Sequence, residues 1–359
     1  MRVSVVDPRE LGTAEQARWR VLQEASPSLD NPFLSPEFTM TVAGLRSRVR
    51  VAVLEEGPDI VGFFPFEEHR LGIGTPVAAG LTDAQGLVLA AGLEIDTKEL
   101  LRACSLNVYE FDHLVSDQPM LNASHDLHPS PIIDLSGGFE AYSRLLRSRS
   151  KTTYKMISAK SRRLERAGTV RHEYGLADQQ VLHTLLAWKT DQYRRTSRMD
   201  RFARRWIVEL VERLLATQAE WFAGVLDMLY LDDRPVAGHF GVRTRTRLAQ
   251  WFPAYDTAFA RFSPGFIQHL AMADKAAASG IRIIDLGRGQ KDYKDKLKTG
   301  EFHVAEGRVV RPGAVAGMHW VVRTPVRKAR QAVLATPPLL KAADHTLKAF
   351  GRLRTRWSV

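Results

Sequence analysis

The chain has 359 residues, 45% of them hydrophobic, and 51 Lys and Arg against 40 Asp and Glu give it a formal net charge of +11. That length predicts two domains of ordinary size, and the composition argues against a disordered chain. A single cysteine, Cys104, excludes a disulfide framework or a cysteine-built zinc site within one chain.

The opening MRVSVVDPRE lacks the apolar stretch of a secretory signal, and no apolar run is long enough to cross a bilayer. The expectation is a cytoplasmic protein. Its positive charge is concentrated in two runs. The first, residues 144–171, holds Arg147, Arg149, Lys151, Lys155, Lys160, Arg162, Arg163 and Arg166. The second, beyond Trp320, holds nine Lys and Arg, from Arg323 to Arg356, against the single acid Asp344. Such runs attract polyanions in general or form solvated helix faces.

In chain order, residues 3–6 read as a strand and 14–25 as a helix. Asn31-Pro32 and Ser35-Pro36 punctuate the start of a second helix ending near residue 43. Residues 49–54 and 60–67 form a hairpin, 97–103 a helix and 107–114 a strand. Residues 122–131, with two prolines and two histidines, read as a linker. Beyond it come a short strand at 132–135, helices at 139–146, 151–167, 177–195 and 201–216, and an antiparallel meander at 222–231, 235–243 and 248–255. A helix then starts at Ser263-Pro264-Gly265, with Phe266, Leu270, Ala273 and Ala277 on one side. A short apolar strand through Ile281, Ile283 and Ile284 ends at Asp285. Gly287-Arg288-Gly289 turns the chain into a polar helix carrying Tyr293 and Lys294, and 302–310 is a last strand.

The two halves repeat one another. Ile60-Val61-Gly62-Phe63-Phe64 matches Val236-Ala237-Gly238-His239-Phe240, each after a strand and a short acidic turn. The expected organisation is α/β with mixed sheets: residues 1–130, residues 131–311 carrying the donor site, and a basic helical tail at 312–359.

Ser before Pro at a helix start leaves amides free beside the positive end of the helix dipole, a seat suited to phosphate. Polar residues just past a buried strand end stand where open sheets keep their ligands.

The order of elements resembles the GNAT acyltransferase fold, in tandem. Leu186-Ala187-Trp188-Lys189, Gln192-Tyr193, Trp251-Phe252-Pro253-Ala254-Tyr255-Asp256, Ser263-Pro264-Gly265 and Asp285-Leu286-Gly287-Arg288-Gly289 followed by Tyr293-Lys294 resemble one group within it. That group is the bacterial acetyltransferase family linked to cellulose and exopolysaccharide biosynthesis (the CelD/BcsL type), related to the Fem-type peptidyltransferases, which use aminoacyl-tRNA. The resemblance implies transfer of an acyl group from acetyl-CoA or another acyl-CoA to an amine or hydroxyl of a sugar or sugar-derived precursor. It implies pyrophosphate at Arg261, Phe262, Ser263, Pro264 and Gly265. This run has one glycine where the usual GNAT phosphate loop has two small residues, which leaves open a carrier protein or aminoacyl-tRNA as donor, or a degenerate GNAT serving as a binding module.

Each candidate side chain carries two readings. Asp285 is a base or orienting group, or a cap for the following turn. Tyr293 is the acid that protonates the departing thiolate, or a half-buried aromatic. His239 is a base, or a histidine beside the core. Lys189, Gln192 and Tyr193 line an acceptor cleft, or form the polar edge of an amphipathic helix. Trp251 and Tyr255, read on one strand face, stack on a sugar or pack. Arg288 and Lys294 hold an anion, or are surface charge. No metal motif occurs. The tail reads as a basic amphipathic helix that rests on anionic lipid at the inner face of the membrane, or packs on its own domain.

Overall fold

A computed structural model describes residues 1–123, 125–289 and 291–312. The basic tail, from residue 313 onward, lies outside the described residues. The first half comprises β1 (Arg2–Val6), α1 (Thr13–Glu24), α2 (Pro36–Ala43), β2 (Val49–Glu56), β3 (Asp59–His69), β4 (Ile73–Thr75), β5 (Val88–Leu89), α3 (Thr97–Ala103) and β6 (Val108–Leu114). The second comprises β7 (His125–Asp134), α4 (Gly138–Arg149), α5 (Lys151–Glu165), β8 (Val170–Tyr174), α6 (Gln179–Arg195), α7 (Arg205–Ala216), β9 (Ala223–Leu231), β10 (Arg234–Arg243) and β11 (Arg247–Tyr255). α8 (Pro264–Ala278), β12 (Ile283–Asp285), α9 (Asp292–Leu297) and β13 (Gly300–Val310) complete it. Among the described residues no helix is long and apolar enough to cross a membrane.

The strands form one mixed sheet in the order β1-β2-β3-β4-β6-β13-β7-β12-β11-β10-β9-β8, with β5 attached to β3. The hairpin match survives: β3 and β10 occupy equivalent central places, each antiparallel to the strand before it. The segment read as a linker is instead β7, which pairs antiparallel with β12 on one side and β13 on the other. Its prolines, Pro129 and Pro131, lie outside the stretch 132–134 that β12 pairs, so one edge of β7 carries no ladder where they stand. β13 in turn pairs with β6. The last described strand therefore closes the first half, and the sheet runs unbroken across the boundary expected at residue 131.

Sheet and core are shared. On one face, Trp19, Phe33 and Phe38 of the first half pack with Leu210, Phe240, Trp251 and Phe252 of the second in a single cluster. On the other face, α8 covers Val225, Leu229, Val236 and Leu248, together with α4 and α5. β9 is buried at every position because α7 covers one face and α8 the other, which explains its near-continuous apolar run AGVLDMLYL. Strand β8, unpredicted, extends the sheet beyond β9.

Candidate active site

The site grows out of a parting of two strands. β11 and β12 are parallel and pair only at Arg247↔Ile283, Leu248↔Ile284 and Ala249↔Asp285. β12 then ends, while β11 continues through Gln250 to Tyr255 with no strand on that side. Beyond the split, β11 offers free backbone; the carbonyl of Pro253 accepts a 2.8 Å bond from Lys189 Nζ. A bulge precedes it: Phe240 pairs with Phe252 and Gly241 with Gln250, so Trp251 has no partner.

That extra residue reverses the faces. Tyr255 packs on the α8 side, whereas Trp251 points to the other, with its ring 4.6 Å from that of Phe252 and its indole N–H bonded to the Leu81 carbonyl at 2.8 Å. The expectation that Trp251 and Tyr255 share a face fails for this reason, and Trp251 is core rather than a sugar platform.

On the α8 face a cavity of about 240 Å³ opens beside the split, lined by Gln192, Tyr255, Ser263, Gly265, His269 and Tyr293 among others. It meets the mouth of α8. Ser263 sits in the left-handed region (φ 51°) and makes no side-chain cap, and no acid stands in the first turn. A Cβ placed on Gly265 would meet only Tyr255 Cδ1, at 3.8 Å, so the mouth is open at that residue. Lys160 of α5 donates to the Arg261 carbonyl, and the Arg261 guanidinium lies 4.7 Å from the Phe262 ring centre, so positive charge gathers at the mouth. Phe262 itself is buried and contributes packing, which corrects its place among ligand-binding side chains.

Beneath the cavity lies a buried polar layer between the sheet and α8. Gln268 donates to Asp227 Oδ1 at 2.6 Å, and the Gln250 amide meets His269 Nε2 at 2.7 Å. His269 Nδ1 faces the Gly265 carbonyl, so the neutral ring has one donor and one acceptor in use. Burial pushes the His269 pKa down to about 4, which keeps it neutral. The side of α8 turned inward is Ile267, Gln268, His269, Met272, Ala273 and Ala276, so of the expected face Ala273 is buried, whereas Phe266, Leu270 and Ala277 are only partly covered. His239 is fully enclosed at the centre of the sheet under α8. Its Nδ1 is 3.6 Å from Asp227 Oδ2, and neither ring nitrogen makes a hydrogen bond among the described residues. It does not line the cavity, which corrects its reading as a base that meets substrate.

The opposite mouth of the split faces the first half. Asp285 is buried there with every acceptor engaged: Oδ1 takes bonds from Ser130 Oγ at 3.2 Å and the Gly287 amide at 2.9 Å, and Oδ2 from Asn31 Nδ2 at 3.1 Å. It caps its turn and ties the two halves together, and burial raises its pKa. Arg288 is likewise spoken for, by the Asp112 carbonyl and Glu306, each at 2.6 Å. Lys294 Nζ stitches the turn by donating to the Gly287 and Arg288 carbonyls at 2.7 and 3.2 Å. These three hold the loop in shape rather than reach outward. Gly287 (φ +75°) has to be glycine, since a Cβ would come within 2.8 Å of Asp83 Oδ2.

Asp83, from the first half, is the carboxylate that faces this mouth, with His113 Nε2 at 3.7 Å. Burial raises its pKa, with Asp285 adding to the rise and His113 and Lys294 opposing it. Lys189 is buried on α6, and desolvation, then Lys291, Arg201, Arg198 and Lys294, bring its amine down to about 7. Burial brings Lys294 to about 8. Tyr293, edge-on to His269 at 5.3 Å, is pushed up to about 12, first by burial and then by Asp83, so its hydroxyl is a proton donor at neutral pH. Tyr193 is half-buried beside Phe202, with Lys189 Nζ 5.8 Å from its ring centre.

Of the candidates read from sequence, Tyr293, Tyr255, Gln192, Ser263 and Gly265 come together around the cavity, and Lys189 and Tyr193 stand at the split beside it. Asp83, Gln268, His269 and Lys291 were missed. Gln268 and His269 carried a signal, two adjacent polar residues between apolar ones in the first half of α8; Asp83 carried none, because only folding brings it to Gly287. Among the described residues no group of His, Cys, Asp and Glu has the arrangement of a metal site.

Comparisons with known proteins fit this geometry. Residues 151–295 match the model of the acetyltransferase (GNAT) domain. No curated protein matches the sequence. Among solved structures, FemX aligns at 11% identity over 86% of this chain and 96% of its own, with a TM-score of 0.57. A conserved protein of unknown function from Bacteroides thetaiotaomicron aligns at 10% identity over 85% and 100%, with a TM-score of 0.54. A tandem GNAT protein from the clavulanic acid biosynthesis pathway aligns at 10% identity over 87% and 100%, with a TM-score of 0.47. The strand order and the match at residues 151–295 agree: the chain carries a GNAT acetyltransferase domain within a larger mixed α/β fold.

Proposed function

We propose that the protein is an acyltransferase that moves an acyl group, acetyl first among the candidates, from coenzyme A to an amine or hydroxyl. The observation that carries this reading is the open split between β11 and β12 beside an uncapped helix mouth. The pantetheine arm would run along β11 past Pro253. The pyrophosphate would lie against the Gly265 end of α8, near Lys160 and Arg261. Backbone left unpaired by the bulge would polarise the thioester carbonyl. The acceptor enters from the Asp83 side. As its nitrogen or oxygen bonds to the carbonyl carbon, its proton passes to Asp83; when the carbon–sulfur bond breaks, Tyr293 protonates the thiolate. Asp285 orients this ground rather than serving as base. A sugar or sugar-derived acceptor, and a place in exopolysaccharide or cell-envelope metabolism, rest on the resemblance to the CelD/BcsL type.

Titration with acetyl-CoA and longer acyl-CoAs by calorimetry, on the wild type and Gly265→Glu, tests the reading. One acyl-CoA should bind the wild type and lose at least about tenfold in affinity in the variant. Failure of all of them to bind rejects it. A second reading, with aminoacyl-tRNA as donor, is favoured by the exposed Lys151, Lys155, Arg162 and Arg163 of α5 on the donor side. Retention on charged tRNA but not on an immobilised thioester analogue would select it.

A further inference from the structure

Across the split from the proposed donor cavity lies a cluster of cations that the acyl-transfer chemistry does not use. Lys189 comes from α6, Arg198 and Arg201 from the loop after it, and Lys291 from the residue preceding α9. The loop is fixed in place. Asp200 caps the short 3-10 helix Arg201–Ala203 by accepting from the Phe202 amide at 3.0 Å, and the Phe202 ring packs edge-on against Phe252 of β11 at 5.0 Å. Lys291 is held from the other side, because Tyr293 two residues on is anchored against His269. The two segments thus bring their charges to the end of β11, where the split opens.

One carboxylate, Asp83, acts on both Arg201 and Lys291, but without pairing to either. Among the described residues, the side chains of Arg198, Arg201 and Lys291 make no hydrogen bond or ion pair. Asp285 is already engaged by three donors. Asp83 is the one carboxylate found acting on both Lys291 and Lys294, and it already stands beside His113. Like charges gathered at the rim of the split, over the buried Lys189, repel, and an anion entering between them removes that cost. On the acyl-transfer reading the donor's phosphates lie against the mouth of α8, beside Lys160 and Arg261, which leaves these cations to a second anion.

Resting on the acyl-transfer reading, we propose that the acceptor is held in this cleft through an anionic group, a carboxylate or a phosphate, bound by Arg198, Arg201 and Lys291 with Lys189 beneath. The acceptor's amine or hydroxyl is thereby placed between Asp83 and the split, a few ångströms from its own anion. The cleft is then selective by charge before it is selective by shape, and neutral acceptors bind it poorly.

The test uses the full chain with CoA bound and two matched pairs of probes, glucosamine 6-phosphate against glucosamine and alanine against alaninamide, titrated by calorimetry. In at least one pair the anionic member should bind at least about tenfold more tightly than its neutral match. The pair that discriminates tells phosphate from carboxylate. The Arg201→Ser/Lys291→Ser double variant, whose side chains support no packing in the core, should lose that preference while keeping its melting temperature and acetyl-CoA affinity. At pH 7.5, binding in the wild type should take up protons, read from the dependence of the heat on buffer, as the anion restores charge to Lys189 and Lys294. No preference in either pair, or a preference that survives the double variant, overturns the proposal. Failure of acetyl-CoA to bind, with the anion preference intact, would instead reject the acyl-CoA reading and leave the anionic cleft standing.

Discussion

The two halves place a parallel strand pair at the same point of their sheets and treat it in opposite ways. In the first, β4 pairs with β6 over Ile73↔Val108 and Gly74↔Tyr109. The following helix, α3, is plugged by its own sequence: the Asp96 carboxylate accepts from the amides of Lys98 and Glu99, and Glu99 adds a second negative charge. Beside the strand pair there is core, with Leu106 so close that a Cβ on Gly74 would collide with it, and the hollow at the mouth of α3 is lined by Asp96 itself. In the second half, α8 begins at Ser263 without a side-chain cap and without an acid in its first turn, and among the described residues no carboxylate lines the cavity at its mouth. A helix mouth that supplies its own anion is stable and finished; one that does not is available to a ligand's anion. The first half is then left to provide core, the Asn31 tie to Asp285, and Asp83 at the rim.

The comparison can be broken most sharply by importing the plug. Ser263→Asp places a carboxylate at the mouth of α8, a position whose left-handed backbone Asp tolerates. Acetyl-CoA affinity should fall roughly a hundredfold, a loss of about 2.7 kcal/mol; unchanged affinity in calorimetry would show that the mouth holds no phosphate. Next in size are the proton-transfer groups. Tyr293→Phe and Asp83→Asn should each lower kcat by roughly thirtyfold or more with little change in donor affinity. The Asp83 variant should also lose the acidic limb of the kcat/KM profile, measured by thiol release.

A stability measurement tests the buried amine. Folding disfavours the charged form of Lys189, whose pKa falls from 10.5 to about 7. Between those values the unfolded chain holds the extra proton, so wild-type stability should rise as pH rises from about 7 toward 10.5. Below 7 the full cost is present. Lys189→Met should flatten this slope by an amount on the order of 2 kcal/mol in denaturant titrations. The smallest effect sharpens the contrast from the other side. Asp96→Ala should cost about 1 kcal/mol of stability and leave acetyl-CoA binding untouched, because that mouth serves the fold alone.

Much of this was legible in the chain. Alternation and turn residues located the hairpin β2–β3 and the meander β9–β11, because each strand's partner is its sequence neighbour. Pro264 and Gly265 announced a helix start, and Tyr293 proved to stand at the cavity. Local chemistry sufficed for these, since a cap, a turn or a period is settled within a few residues.

Tertiary structure decided the rest. Residues 125–134 look like a linker by composition and become a strand only because β12 and β13, far along the sequence, lie on either side. Trp251 and Tyr255 share a face in a regular strand; one bulge, imposed by the pairing with β10, sends them to opposite sides. Asp285 reads as a base or a turn cap until Asn31 and Ser130 arrive from outside its segment to occupy it, while Asp83 reads as nothing until folding brings it over Gly287. The lowered pKa of Lys189 follows the same rule, because desolvation and neighbouring charges come from packing. Sequence states which groups a segment carries; the shape of the whole molecule determines which of them are left without a partner, and those are the groups available for chemistry.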